Sequence, residues 1–436
     1  MNEVEVFDFV IVGSGFGGSV SALRLIEKGY SVLILERGKR YRDQDFTKTN
    51  WRFWEYIWNP ALRSFGIMQI SLLNGMLILH GAGVGGGSLG YANVLMEPSN
   101  EMFEAPDWKD LADWKTILRP YFNTARSMLG VNDNPRLNQA DYLLKEIAAD
   151  IGREHTFKPT QVGVFFGKEG QEGQEVSDPY FGGEGPARKT CIFCGGCMVG
   201  CRENAKNTMT KNYLYLAEKW GAEVRAEMQV SDINVLKGAH SNGTRYEVVY
   251  HRSTPMLYKP KYRVHARNVC VSAGTLGTLR LLFHCRDTTG SLENLSSTLG
   301  SKVRTNSEAL LGSSARDMKA DFSQGVAISS VFRADDVTNI EPVRYPPRSS
   351  LMRLVSAPLF NADSGSFWVR LWNSVWQSIM HPMDFLKAMV LPRWAERTII
   401  FLVMQTLDNH LRVDYKRSPW TFLRKGLVTK EIHQIP

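Results

Sequence analysis

Asp8 to Gly38 reads DFVIVGSGFGGSVSALRLIEKGYSVLILERG, and its hydrophobic period changes twice along the way. Phe9 to Val12 is a short apolar run with β-branched residues that stops at glycines, Ser21 to Lys28 carries helical spacing, and Ser31 to Leu35 is a second apolar run. The stretch therefore predicts strand, tight turn, helix and strand. Gly13, Gly15 and Gly18 stand in the G-x-G-x-x-G spacing. The first permits the turn, the second lets the backbone approach a pyrophosphate, and the third lets the helix pack on the strand. Ser14, Phe16 and Gly17 fill the positions between them, where free N–H groups at a helix start face phosphates. Glu36 closes the second strand, at the position where an acid accepts a ribose hydroxyl. A glycine turn with a purely structural role is the alternative; the two strands, the helix and the acid together favour a bound adenine dinucleotide on a Rossmann-like α/β domain.

The chain has 436 residues, too many for one typical domain, so two or more subdomains are expected. Its 43% hydrophobic and 22% charged residues are those of a globular protein. The net charge of +8 is dispersed, without the basic run that nucleic-acid binding requires. The first strand starts close to Met1 on acidic flanks, which predicts no secretory signal. Phe65 to Leu79 is interrupted by Gln69 and Asn74, and Thr398 to Met404 is too short to cross a membrane. The expected location is the cytoplasm, with peripheral membrane contact left open.

His80 to Asn93, HGAGVGGGSLGYAN, is a second glycine-rich loop. One dinucleotide usually needs one phosphate loop, so a second predicts a ligand long enough to span a pyrophosphate and a planar ring, which favours FAD over NAD. A flexible linker is the alternative, but Leu89, Tyr91, Val94, Leu95 and Met96 are too apolar for it. Trp51, Trp54 and Trp58 recur at helical intervals and are expected to share a buried face, with a cover over an apolar substrate or a membrane contact as the alternative. Asp107 to Gly130 and Asp141 to Ile151 read as helices, and Gly163 to Arg188 as a long loop.

Cys191, Cys194, Cys197 and Cys201 follow in C-x2-C-x2-C-x3-C spacing, the run that wraps iron–sulfur clusters. Zinc and a set of reduced structural thiols are the competing readings. Arg202 replaces the proline of the ferredoxin run, and there the fourth cysteine serves a second cluster, for which this chain has no second quartet. Cys270 and Cys285 read as core.

Taken together, VGSGFGGSVSALRL, Glu36, GAGVGGGSLGYAN followed by MEP, and VSAGTLGT resemble the glucose-methanol-choline FAD oxidoreductases. DPYFGG, GCRENAKNT, RTNSE and IEPVRY narrow the resemblance to the cholesterol oxidase branch of mycobacterial type, from the first strand to about Asn409. The resemblance implies a Rossmann-like FAD domain with a mixed-sheet α+β substrate domain. It divides the chain into 1–130 and 206–310 as two parts of the FAD domain, 131–205 as a loop-rich insertion with the cysteines, and 311–436 as the substrate domain. It implies FAD contacts at Gly83, Gly87, Ser88 and Asn93 in the second loop, at Val230 beside the adenine, within an expected strand Ala222 to Val230, and at Ala273 and Gly274 in a third turn. Gly325 to Phe332 is expected as a strand. Glu341, in an apolar strand, aligns with the glutamate that moves a steroid proton from C4 to C6; an edge glutamate paired with Arg344 is the alternative.

Ser366 to Met380 places Trp368, Trp372 and Trp376 four residues apart on a wide apolar face, expected to be core, with a membrane-docking lip as the alternative. Thr398 to Thr406 is an expected strand with Leu411 to Tyr415 as its partner. By resemblance, the family's catalytic histidine and asparagine belong to a C-terminal H-x-x-G-G-like stretch and a later N-P motif; no H-x-x-G-G stretch is found here, the N-P pairs at Asn59-Pro60 and Asn134-Pro135 lie far upstream, and His80, His284, His381, His410 and His433 sit in no matching context. The resemblance thus implies FAD-dependent oxidation of a sterol 3β-hydroxyl with O2 as acceptor, in a shortened chain whose activity is in question. The alternatives are a dehydrogenase coupled to an iron–sulfur cluster and a catalytically silent flavin-binding product.

Overall fold

Residues on β1 (Val6–Val12) point alternately to two faces, and at its carboxyl end both faces are covered, which is why Phe9 to Val12 is apolar without interruption. The computed structural model describes residues 4–73, 76–238, 243–356, 367–383, 390–418, 421 and 424–433. Val10 and Val12, with Leu33 and Leu35 of β2 (Val32–Leu35), enter one core; Ile11, Val32 and Ile34 enter the other. The second core is closed by α1 (Phe16–Ile26), through Ala22 and Leu23, and by α4 (Tyr213–Lys219), through Leu214 and Ala217.

Six strands form this sheet, in the order β3 (Glu223–Arg225), β2, β1, β6 (Lys261–Val271), β5 (Tyr246–Arg252) and β4 (Met228–Val235). β3, β2, β1 and β6 run parallel, and β5 and β4 continue as antiparallel neighbours. α5 (Gly274–His284) covers the first core through Leu281. The strand expected over Ala222 to Val230 is two strands, because Glu227 takes a positive φ of 60° and turns the chain between β3 and β4.

A second, antiparallel sheet runs β7 (Glu308–Ser314), β10 (Thr398–Gln405), β9 (Thr338–Val343) and β8 (Ser330–Arg333), and the short segment Lys158–Pro159 extends it. The expected strand from Gly325 forms only over Ser330–Arg333; before it, Gly325 and Ile328 make isolated bridges to Cys194 and Val343. β10 pairs with β7 and β9, not with Leu411 to Tyr415. Those residues belong to β11 (His410–Arg417), which pairs with Val303–Arg304 and with β12 (Lys425–His433) in a third sheet.

α2 (Trp114–Met128) and α3 (Gln139–Asp150) occupy the expected helical stretches. α3 packs Leu144 and Ala148 on Phe332 of the second sheet. Its Asp141 closes a capping box with Asn138 and is the hub of a buried polar knot, accepting from Ser330 Oγ at 2.6 Å, from Ser329 Oγ, and from Arg344 at 3.4 Å. Arg344 is therefore committed to Asp141 and not to Glu341.

Two tryptophan expectations are corrected. Only Trp58 is buried; Trp51 and Trp54 are exposed, because Phe53–Tyr56 forms a single turn and Trp58 belongs to a two-residue strand, so the three never share a helical face. On α6 (Phe367–Met380), Trp372 and Trp376 are 67% and 52% exposed, so the apolar face is not core. The side chains of Trp368, Leu371 and His433 lie outside the described residues. Among the described residues no helix is long and apolar enough to cross a membrane.

Candidate functional site

Three turns meet at the carboxyl ends of β1, β2 and β6, the edge where open α/β sheets bind ligands. The first is Gly13 to Gly18. Gly13 has φ +97°, and a Cβ there would meet Ser272 O at 2.5 Å; a Cβ on Gly18 would fall on the carbonyl oxygen of Gly13. The glycines are thus demanded by strand–helix packing at positions 13 and 18. At Gly15 the nearest atom to a Cβ is Gly86 Cα, 3.9 Å away, so the protein itself does not require glycine there. Gly87 likewise has nothing within 4 Å; Gly274 also faces open space, but its φ of +69° already favours glycine. Cradle positions with no protein neighbour suit a ligand that approaches the backbone closely.

Glu36, 5% exposed, ties the turns together. Its Oε2 accepts from Ser14 N at 3.0 Å and Ser14 Oγ at 2.9 Å, and its Oε1 accepts from Gly38 N at 2.8 Å. A carboxylate has about four acceptor directions, so Oε1 keeps one for a hydroxyl. Ser14 Oγ also accepts from Gly85 N at 3.1 Å, joining the first glycine loop to the second. Gly38 is pressed against the backbone of Gly83. Phe16 packs edge-on to Tyr91 with centroids 5.7 Å apart. The third turn, Ser272 to Gly274, is fixed from below by Ser272 N donating to Val12 O at 2.8 Å.

The predicted residues therefore separate into two groups. Gly15, Gly87 and Gly274 have open or nearly open space before them, and Glu36 is the buried acceptor that binds Ser14 and Gly38. Ser88 and Val230 are buried supports. Ser88 donates to Gly85 O at 2.7 Å and accepts from Met209 N at 3.0 Å, and β4 reaches the site because Met228 N bonds Glu36 O at 2.8 Å. Asn93 is fully buried with φ +74°, and its side chain lies against the Cys197 thiol.

Glu341 is 1% exposed, and its Oε1 has no hydrogen-bond partner. Burial, with Glu308 nearby, pushes its carboxyl up to about 7. A side chain so placed holds a proton near neutrality and is competent to pass one. His80 is bound to Ser71 Oγ at 2.8 Å, and burial, with Arg37 and Arg280 nearby, holds its imidazole down to about 4. It is neutral at pH 7. Sequence reasoning missed Lys206, which is 1% exposed and donates to Leu89 O, Tyr91 O and Cys197 O at 2.7–3.0 Å, linking the second glycine loop to the cysteine run. The only available signal was the position of a lone lysine inside GCRENAKNT.

The four cysteines are free thiols around one small pocket. Burial pushes Cys194 up to about 12 and raises Cys191 and Cys197 as well. Among the described residues no three His, Cys, Asp or Glu side chains are arranged to hold a metal ion. The described thiols thus form no ligand set for either metal reading of the spacing, zinc or an iron–sulfur cluster.

A family profile described as an NAD(P)-binding Rossmann-like domain matches residues 11–41, the segment that carries the first turn. The cholesterol oxidase of Acinetobacter baumannii is 43% identical over 431 residues, covering 99% of this chain and 77% of its own length. That of Mycobacterium tuberculosis is 44% identical over 421 residues, covering 94% and 71%. The chain belongs to the cholesterol oxidase family. Members are FAD-dependent oxidoreductases acting on alcohols, and the cradle of open glycines beside Glu36 fits that cofactor. The fold agrees with two solved structures. Pyridoxine 4-oxidase from Mesorbium loti has a TM-score of 0.51 at 14% identity, covering 97% of this chain and 75% of that one. An FAD-dependent oxidoreductase from Chaetomium thermophilum has a TM-score of 0.52 at 13% identity, covering 97% and 78%.

Proposed function

We propose that this protein oxidises the 3β-hydroxyl of a sterol with FAD, delivers the electrons to O2, and moves the ring double bond with Glu341. The observation that supports the reading is the junction of three glycine-containing turns at Ser14, Gly38 and Ser272, in a chain over 40% identical to cholesterol oxidases along most of its length. Bound FAD would supply the hydride acceptor, and the hydroxyl proton would pass to water. The N–H groups that follow Gly15 at the start of α1 bind the phosphates, and the remaining acceptor direction of Glu36 Oε1 takes a ribose hydroxyl. Glu341, buried and without a cation partner, takes the proton from C4 of the oxidised ring and returns it at C6.

Anaerobic addition of cholesterol to the flavin-loaded protein is expected to bleach the flavin band. Readmitted air should restore it with one H2O2 formed per ketone. Flavin that binds but stays oxidised under excess sterol would remove the sterol reading.

A sterol resides in lipid, and α6 offers Trp372, Trp376, Ile379 and Met380 to solvent, each more than half exposed. We infer that this face rests on the membrane surface. Changing Trp372 and Trp376 together to serine is expected to lower co-sedimentation with sterol vesicles roughly tenfold, equivalent to about 1.4 kcal/mol. Turnover of detergent-dispersed sterol should be unchanged. Equal sedimentation of both proteins would rule this face out.

A further inference from the structure

β5 and β6 are joined by a hairpin whose last strand pair is His251 with Lys261, and beyond that pair the chain runs Arg252 to Pro260, RSTPMLYKP. Its base is fastened to the first sheet. Ser253 N donates to Glu227 O at 2.9 Å, and Ser253 Oγ donates to Arg37 O at 2.6 Å. Past this anchor three consecutive apolar residues stand in solvent: Met256 is 53%, Leu257 98% and Tyr258 79% exposed. None of them enters a core cluster of the described residues. Pro255 and Pro260 bracket the run and restrict the backbone that presents it. Met256 Sδ accepts from Arg63 Nε at 3.4 Å, which sets the tip beside the turn Pro60–Leu62, where Leu62 is 55% exposed. Hairpin tips are ordinarily polar and built from Gly, Asn and Asp, so turn chemistry does not account for this run.

The charges around the tip are of one sign. Residues 251–263, HRSTPMLYKPKYR, contain Arg252, Lys259, Lys261 and Arg263 and no acid. Two of these cations are answered from neighbouring strands: Arg252 faces Glu227 at 3.7 Å, and Arg263 faces Glu247 at 3.8 Å. Lys259 and Lys261 are exposed, and among the described residues neither they nor Arg63 has a carboxylate within ion-pair distance. Apolar side chains rimmed by uncompensated cations match the interface of an anionic bilayer. The apolar tip enters the boundary between headgroups and acyl chains, the tyrosine hydroxyl stays at headgroup level, and the ammonium groups meet lipid phosphates and carboxylates. A second copy packed tip to tip would instead bring the lysines against their like.

We propose that the tip of the β5–β6 hairpin, Met256 to Tyr258 with Arg63, Lys259 and Lys261 at its rim, docks on an anionic lipid surface. The contact differs from that of α6 in being governed by lipid charge, and it stands whether or not the substrate is a sterol.

The test is co-sedimentation of the full chain, with its flavin, on sterol-free vesicles of phosphatidylcholine alone or with roughly 30% phosphatidylserine. Native protein should bind the anionic vesicles at least about tenfold more tightly, and the difference should collapse between about 0.1 M and about 0.5 M salt. Lys259→Gln with Lys261→Gln is expected to lose roughly tenfold on anionic vesicles only, and Leu257→Ser with Tyr258→Ser to lose roughly tenfold as well. All four side chains are exposed, so both variants should keep their flavin and the native unfolding temperature. The Trp372 and Trp376 serine variant should keep the preference for anionic vesicles. Equal binding of native protein to the two vesicle types overturns the proposal, as does undiminished binding of either hairpin variant. A preference that disappears with Trp372 and Trp376 would assign it to α6 and overturn the proposal. So would a native dimer that Leu257→Ser with Tyr258→Ser turns into a monomer, since the tip would then be covered by a second copy.

Discussion

Gly38→Ala is expected to abolish FAD retention and to destabilise the protein by roughly 3 kcal/mol or more, whereas Gly15→Ala should leave the flavin-free protein within about 0.5 kcal/mol of native. A methyl at Gly38 would fall on the backbone N and Cα of Gly83 and lie 2.7 Å from the carbonyl carbon of Ala82. No flexible side chain can move out of its way, so the two glycine loops must part. Parting them also strains the Glu36 bonds to Ser14 and Gly38 that hold the cleft together. At Gly15 the backbone has φ −69° and ψ −165°, which any residue adopts, and the nearest neighbour is 3.9 Å away. Its methyl would enter only the space in front of the helix N-terminus. FAD affinity should therefore fall at least tenfold, about 1.4 kcal/mol, without a change in the fold. Thermal unfolding of the apoproteins and flavin titration separate the two effects. An apoprotein of Gly15→Ala as unstable as that of Gly38→Ala, or one that binds FAD normally, would mean that the cradle serves packing alone.

This contrast marks where the sequence was informative. Gly13, Gly15, Gly18 and Glu36 act within one local strand–turn–helix unit, so their spacing carried their roles. The second glycine loop was legible because six glycines among apolar residues have few other uses. What spacing does not encode is which distant groups meet. Asp141 is an ordinary first-turn acid of α3 by sequence, yet it takes Arg344 from 203 residues away and thereby leaves Glu341 unpaired. Lys206 reads as one lysine of a polar run, and only the fold buries it between two loops. The tryptophan stripes failed for the opposite reason: helical spacing predicts a shared face only if a helix persists, and at Trp51 to Trp58 it ends after one turn. On α6 the helix does persist, but periodicity cannot say whether an apolar face meets core or solvent.

The unpaired state of Glu341 gives the second large effect. Its carboxyl is raised from 4.5 to about 7 by burial, so the folded protein binds this proton more tightly than the unfolded chain does. Below pH 4.5 both states are protonated, and the side chain costs nothing electrostatically. Between pH 4.5 and 7 the unfolded chain ionises while the folded one resists, and stability declines. Above 7 the full penalty applies, roughly 3 kcal/mol for a shift of this size, and it is not screened because the group is 1% exposed. Glu341→Gln removes the titration. Relative to native, the variant should therefore gain roughly 3 kcal/mol of unfolding free energy between pH 4 and pH 8, whatever fixed cost its amide adds at both. The same substitution should leave flavin bleaching by sterol intact and stop the double-bond shift, so that the 5-ene ketone accumulates. In the native protein the shift should accelerate as pH rises through about 7, because the base must first be ionised. A variant whose stability difference from native is flat across that range would show that Glu341 is ionised and solvated in solution. A variant that still isomerises its ketone would place the proton shuttle elsewhere in the second sheet.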